Sequence, residues 1–180
     1  MFERILVALD GSKTSDAGLR AALELAVAHR ASLYALHVVD DAALVPSVDA
    51  AYLPSAYLDR YYEGIREQGR STLAKAEALA RSCGAACTPL LVETMGESIA
   101  HTILRQARKV RAHVIVLGTH GRRGLRRALM GSDAEEVVRE ANVPVLLVRK
   151  AAPAPRARRK PAPSASSART SPAGRRMQAH

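Results

Sequence analysis

Hydrophobic residues occur along this chain in two alternating patterns, short unbroken runs and longer stretches with helical spacing. The runs predict five buried strands, and the stretches predict four helices. The strands are predicted near residues 3–9, 32–39, 86–92, 112–118 and 144–149, and the helices near 13–30, 56–82, 97–110 and 132–141. This alternation predicts an α/β fold with a single doubly wound open sheet of five parallel strands and helices on both faces.

The first three predicted helices each carry an apolar stripe at helical spacing. The stripes consist of Leu19, Leu23, Ala26 and Val27 in the first helix, Leu58, Tyr61, Tyr62, Ile65, Leu73 and Ala76 in the second, and Ile99, Ile103, Ala107 and Val110 in the third. Because crossover helices lie over a parallel sheet, we expect these side chains to be buried against the strands.

One glycine-rich segment joins the fourth predicted strand to the last predicted helix. It contains Gly118 and Gly121, then nine residues, then Gly131 followed by Ser132. Glycines allow positive φ and close approach of a ligand to the backbone, while a helix start offers N–H groups and the positive end of a dipole. The segment therefore indicates a phosphate-binding loop. A long turn whose glycines only accommodate positive φ is the structural alternative, and Ser132 suits either phosphate binding or helix capping.

The spacing of this segment resembles the ATP-binding branch of the universal stress protein family, whose pattern is Gly, two residues, Gly, nine residues, Gly, then Ser or Thr. Segments 5–12, 36–40 and 143–148 also resemble that family. The resemblance implies a nucleotide-binding domain over residues 1–150. It also implies the strand order 3-2-1-4-5, which reverses between the first and fourth strands. Ligands bind beyond the carboxyl ends of the strands at such a reversal.

The family's pattern implies how this chain would hold the phosphates of a nucleotide. Backbone groups at Gly118 and Gly121 would face ribose or phosphate oxygens, and Gly131 with the Ser132 hydroxyl would hold the β- and γ-phosphates. Arg122 directly follows Gly121, so by position it is the best cationic candidate for a phosphate contact.

At the base end, the resemblance implies roles for three further residues. Asp10 matches the position that contacts the base, and its carboxylate could accept a hydrogen bond from an exocyclic amine. Ala8 and Val38 match positions that shape the adenine pocket. The plain alternatives are that Asp10 only caps the next helix or sets the turn with Gly11, and that Val38 is an ordinary core residue.

The chain departs from the family pattern at Asp133, where the family usually has a small or apolar residue. A carboxylate beside a triphosphate repels it by about 1 kcal/mol or less when solvent intervenes. The same side chain suits the first turn of a helix, where a negative charge contributes roughly 0.3–1 kcal/mol of stability. The sequence thus predicts the architecture of a nucleotide site more firmly than its affinity.

The resemblance implies ATP, with or without Mg²⁺, as the ligand of a nucleotide-dependent regulator or protective factor in the stress response. The chain has no GxxxxGK[ST] segment, no GxGxxG after the first strand and no evident Ser/His/Asp set. We therefore assign no catalytic residue and expect at most slow ATP hydrolysis. The histidines at 29, 37, 101 and 113 show no metal-ligand spacing, so we predict no metal site.

The charge of the chain is concentrated at its C-terminal end. The formal net charge is +10, but seven of the 27 basic side chains and none of the 17 acidic ones lie in residues 151–180. This Pro/Ala/Arg-rich tail has too few large apolar residues to form a core, so we predict that it is disordered. It would be either a solubilising extension or an arm that binds nucleic acid through the backbone, without sequence preference.

The remaining expectations concern partners and location. The resemblance implies a homodimer built by edge pairing of the last strand, within 143–148. No apolar run reaches the ~20 residues that span a bilayer, and the first residues do not resemble a signal peptide. We therefore predict a cytoplasmic protein with no membrane partner. Cys83 and Cys87 are expected to be reduced thiols.

Overall fold

The computed structural model describes residues 2–40, 55–119 and 130–149. These residues belong to one compact unit, Met1–Lys150. In chain order its elements are β1 (Arg4–Ala8), α1 (Lys13–His29), β2 (Ser32–Val39), α2 (Ser55–Ser82), β3 (Cys87–Glu93), α3 (Ile99–Lys109), β4 (Val114–Gly118), α4 (Ser132–Glu140) and β5 (Val145–Val148). The predicted Gly121, Arg122 and tail 151–180 lie outside the described residues.

The five strands form one parallel sheet in the order β3-β2-β1-β4-β5, which confirms the predicted topology. β1 lies at the centre, where Ile5 is in register with Leu33 of β2 and Val114 of β4. The side chains of Ile5, Leu6 and Val7 are all 0% exposed. A strand buried on both faces and paired on both edges explains why this part of the sequence is an unbroken apolar run.

Helices cover both faces of the sheet, as the sequence predicts. Residues of α1 and α2 pack on one face with Ile5 and Val7, while residues of α3 and α4 pack on the other face with Leu6. Alternate residues of β1 contribute to the core on each side of the sheet, because successive side chains of a strand point to opposite faces. None of the described helices is long and apolar enough to cross a membrane.

Two details of the predicted apolar stripes are wrong. Val27 is 51% exposed, because α1 contacts the sheet through a stripe that passes through Leu23 and Ala26 and leaves Val27 at its margin. In α2 the buried positions begin at Gly69, and the four predicted positions from Leu58 to Ile65 are only partly buried. A helix of 28 residues is about 42 Å long, whereas the eight residues of β2 span about 26 Å, so α2 extends past the sheet.

The two edges of the sheet differ in their backbone groups. Leu33 N–H donates to the Ala86 carbonyl, and Thr94 N–H donates to the Val39 carbonyl. Because backbone groups of successive strand residues point to opposite sides, Pro89 of β3 faces the outer edge. Proline has no N–H, and an edge strand tolerates it in this orientation. The β3 edge therefore lacks one donor that a further strand would need.

The β5 edge keeps its outward donors. Ile115 N–H donates to the Pro144 carbonyl and Thr119 N–H to the Val148 carbonyl, at 3.0 and 2.9 Å. The even-numbered residues of β5 thus face β4, and the backbone groups of Val145 and Leu147 point to the other side. Among the described residues no strand pairs with that side of β5.

Packing at Gly69 of α2 generates a stability prediction. A Cβ atom added there would lie 2.7 Å from the buried ring of His37 and 2.6 Å from Leu91 Cδ1. We expect Gly69→Ala to lower the free energy of unfolding by about 1–3 kcal/mol, because the core must be displaced. Urea denaturation of the purified variant measures this change.

The matched control is Gly64→Ala in the same helix, where an added Cβ meets nothing within 4 Å. This change should raise stability by roughly 0.5–1 kcal/mol through helix propensity alone. Equal effects of the two substitutions would contradict the close packing of α2 on β2.

Candidate functional site

A cleft opens at the carboxyl ends of β1 and β4, where the strand order reverses. Of the eight site residues predicted from sequence, five line this cleft. They are Ala8, Asp10, Val38, Gly118 and Gly131. Ser132 does not line it, and the remaining two, Gly121 and Arg122, lie outside the described residues.

One end of the cleft is apolar. Its walls include Ala8 and Val38 from β1 and β2, together with Ile99 and Ile103 from α3. The sequence predicts these two isoleucines only as part of a core stripe, yet α3 places them where the stripe reaches the open end of the sheet. An apolar recess of this kind suits a planar ring, because a buried ring gains from apolar contact on its faces.

Asp10 has the structural role that the sequence offers as the plain alternative, and it also lies at the cleft. The Ser12 N–H donates to Asp10 Oδ1 at 2.9 Å, across a turn in which Gly11 has φ +79°. Ser12 in turn caps α1, since its Oγ accepts from the Ser15 N–H at 3.1 Å. The carboxylate therefore fixes the turn that begins α1, and it also borders the cleft.

Gly118 is required by close packing and not by an unusual backbone angle. A Cβ atom added at Gly118 would lie 2.9 Å from the carbonyl carbon of Thr14 and 3.0 Å from the Ser15 nitrogen. Neither Gly118 nor Gly131 has positive φ, so positive φ, which the sequence analysis offers as one reason for the glycines, does not explain either of them. The glycine at 118 lets the first turn of α1 approach the end of β4.

The start of α4 differs from the predicted one. Its N-cap is Gly131, with φ −74° and no side-chain cap, so Ser132 is the first helical residue and not the cap. The Gly131 N–H donates to the Thr119 carbonyl at 2.9 Å, so this amide already has a protein partner. Ala134 of the first helical turn also lines the cleft, so this helix start borders the cleft through its first turn.

The cleft also contains the carboxylate of Asp133, at the position where the chain departs from the family pattern. Asp133 lies on the first turn of α4 and lines the cleft beside Gly131 and Ala134. A negative charge at this position favours the helix dipole, but it repels an anion bound at the same helix start. The repulsion between Asp133 and an anion at this helix start thus increases with the negative charge of that anion.

A model of the universal stress protein family matches residues 1–149. The chain belongs to the universal stress protein family. It is 33% identical over 151 residues to Universal stress protein YxiE of Bacillus subtilis, covering 83% of this chain and all of that protein. A universal stress protein structure from Burkholderia pseudomallei is 39% identical, with a TM-score of 0.63, and the match covers 81% of this chain and 95% of that one.

Two structures of more distant universal stress proteins contain adenine nucleotides. One is a complex with cAMP, at 22% identity and a TM-score of 0.58, and the match covers 83% of this chain and 98% of that one. The other is a protein of Archaeoglobus fulgidus in complex with dAMP, at 23% identity and a TM-score of 0.55, covering 82% and 98%. At this level of identity the similarity to this chain shows a common fold.

The contact between Gly118 and α1 generates a second stability prediction. Gly118→Ala should destabilise the protein by about 1–3 kcal/mol, because the atoms in the way belong mainly to the backbone of α1 and cannot rotate aside. Thermal and urea unfolding of the variant measure the loss.

Gly18→Ala is the control, because Gly18 lies on α1 and faces the same contact from the other side. A Cβ atom added at Gly18 would lie 3.6 Å from the Gly118 nitrogen, which is an ordinary van der Waals distance. It should leave stability unchanged or slightly raised, as Ala is the better helix former. A fully stable Gly118→Ala variant would refute the close approach.

Proposed function

We propose that this universal stress protein binds an adenine nucleotide, with ATP as the physiological ligand, in the cleft at the ends of β1 and β4. The bound nucleotide would make the protein a regulator or protective factor in the stress response. The observation that carries the proposal is the uncapped start of α4, which adjoins the apolar recess at the strand-order reversal. Ligands of open α/β sheets bind at this place.

The recess is the proposed place of the adenine. Ala8 leaves space above the end of β1, while Val38 and Ile103 supply apolar surface. Asp10 lies at the rim, and its carboxylate can accept a hydrogen bond from an exocyclic amine, which adenine has and hypoxanthine lacks. The recess therefore favours adenine over bases without that amine. The complexes of related proteins with cAMP and dAMP support this assignment.

The start of α4 is the proposed place of the phosphates. The amides of its first turn and the positive end of its dipole attract an anion. Asp133 opposes that attraction, and the opposition grows with the number of phosphate charges nearby. Mg²⁺ bound to a triphosphate would offset the repulsion, so we include it as a partner of ATP. By its place in the family pattern, Arg122 is proposed to add a positive charge for the phosphates.

The charge of Asp133 generates a prediction for binding. In buffer without Mg²⁺, Asp133→Asn should raise the affinity for ATP by up to about fivefold, since the repulsion amounts to 1 kcal/mol or less. The affinity for AMP should change less, because its phosphate carries less charge. Isothermal calorimetry with both nucleotides on wild type and variant measures the two ratios.

The control for this experiment is Ala8→Leu, which fills the recess where the base would bind and leaves α4 unchanged. It should abolish the binding of ATP and AMP alike while the circular dichroism spectrum stays that of the wild type. Absence of heat with millimolar ATP and AMP on the wild type would sink the proposed function. Binding unaffected by Ala8→Leu would place the nucleotide elsewhere.

We further propose that two copies of the chain pair through β5. The outward backbone groups of Val145 and Leu147 offer hydrogen bonds to a second strand, whereas Pro89 removes a donor from the β3 edge. Leu146 is 37% exposed beside this edge and would gain apolar contact in a dimer. The contrast between the two edges supports β5 as the pairing edge.

Leu147→Pro tests this pairing, because it deletes an outward N–H while the groups that face β4 remain. Leu147→Ala is the matched control, since it shortens the same side chain but keeps the N–H. In size-exclusion chromatography with light scattering, we expect a monomer for the proline variant and a dimer for the wild type and the alanine variant. A folded proline variant that remains dimeric would contradict pairing through β5.

A further inference from the structure

A cluster of three metal-ligating side chains joins α3 to α4 on the outside of the sheet. It consists of His101, Glu136 and Glu140, and one ligand atom from each lies within 4.8 Å of the other two. His101 Nε2 is 3.1 Å from Glu140 Oε2 and 3.9 Å from Glu136 Oε1. The sequence gives no sign of this grouping, because its members come from two helices that are distant along the chain.

We propose that this cluster is a Zn²⁺ site. Imidazole nitrogen and carboxylate oxygen are both zinc ligands, and bond lengths of about 2.0–2.2 Å in a tetrahedron place the ligand atoms roughly 3.3–3.6 Å apart. The ligand atoms of His101 and Glu140, at 3.1 Å, lie slightly closer together than this, and those of His101 and Glu136, at 3.9 Å, slightly farther apart. Water completes the coordination, as at zinc sites with three protein ligands.

Local structure holds the three side chains in this arrangement. Glu136 and Glu140 are one turn apart on α4, so they share a face of the helix. Ser98 Oγ donates to Glu136 Oε1 at 3.2 Å. As the N-cap of α3, Ser98 Oγ also accepts from the His101 N–H at 3.0 Å. Hydrogen bonds to a ligating carboxylate orient it and are typical of metal sites.

A competing explanation is that the three residues form only an ion-pair cluster that joins the helices. In that case a protonated His101 would bridge two carboxylates, with the guanidinium of Arg139 3.4 Å from the other oxygen of Glu140. His101 and Arg139 are 54% and 68% exposed, and exposed ion pairs contribute little stability. A divalent cation neutralises both carboxylates at once and accepts the lone pair of a neutral imidazole.

The proposal is independent of nucleotide binding. None of the three residues lines the cleft, although Ile99 and Ile103 of α3 and Asp133 of α4 do. The two helices thus present one set of side chains to the cleft and another to the zinc cluster. A variant that loses zinc binding should keep the nucleotide affinity of the wild type. Ala8→Leu should lose nucleotide binding and keep the zinc affinity of the wild type.

The experiment titrates Zn²⁺ into the full-length, nucleotide-free protein by calorimetry and records the visible spectrum with Co²⁺ as a substitute. We expect one site that His101→Ala and Glu136→Gln each weaken by more than about tenfold. Zinc should also raise the unfolding temperature of the wild type, and this rise should vanish in both variants. Co²⁺ should give bands of nitrogen and oxygen ligation without thiolate charge transfer.

His29→Ala is the matched control, since His29 is an exposed helical histidine outside any three-ligand group of the described residues. It should bind zinc like the wild type. Zinc affinity equal in wild type, His101→Ala and Glu136→Gln would overturn the proposal, as would binding that needs millimolar metal. A thiolate band with Co²⁺ would do the same, because it would place the metal at Cys83 or Cys87.

Discussion

The structure depends on the double pairing of β1. Its central residues are wholly buried, and the strand pairs with β2 on one side and with β4 on the other. The crossover that follows β1 covers one face of the sheet, whereas α3, which precedes β4, covers the other. Because right-handed crossovers on opposite faces lead away from each other, a crevice must remain at the carboxyl end of this strand pair. Gly118 then sets how closely α1 approaches the end of β4.

Helix capping decides which helix start is available to a ligand. Ser12 caps α1 and Ser98 caps α3 through their hydroxyl groups, so one amide in the first turn of each helix has a side-chain partner. α4 begins at Gly131, which has no side chain to offer. The first amides of a helix need partners from side chains, water or a ligand. Of the three helix starts whose caps the structure describes, α4 is the one without a side-chain cap, and for this reason we propose it as the place of the phosphates.

The sequence predicts the elements and the sheet well, because strand runs and helical stripes are local consequences of burial. It predicts the strand order only through the family resemblance, since spacing alone does not determine which strands pair. The misplaced Val27 and the overhang of α2 show the limit of periodicity, which identifies a face but not how far the neighbouring sheet extends. The family resemblance points to Ala8 and Val38, and the structure places both at the cleft.

Other features of the site depend on tertiary contacts that no local pattern contains. Gly118 resembles a loop glycine in sequence, yet its role follows from the backbone of α1 at 2.9 Å. The Gly131 amide resembles a phosphate donor until the structure shows its bond to Thr119. His101 acquires two carboxylate neighbours only when α3 packs against α4. In each case a contact to a group remote in sequence determines the surroundings of the residue, so prediction from residue type alone does not contain that contact.

α3 and α4 show how one pair of helices can serve two sites. Ile99 and Ile103 lie four residues apart and share a face towards the cleft, while His101 lies between them in sequence and points about 160° away on a helical wheel. On α4, residues at the start border the cleft, and the carboxylates of Glu136 and Glu140 follow one and two turns later. The spacing separates a charged surface cluster from an apolar recess, because a carboxylate inside the recess would lose its hydration without a partner. The two proposed sites therefore lie on one pair of helices and have different side chains.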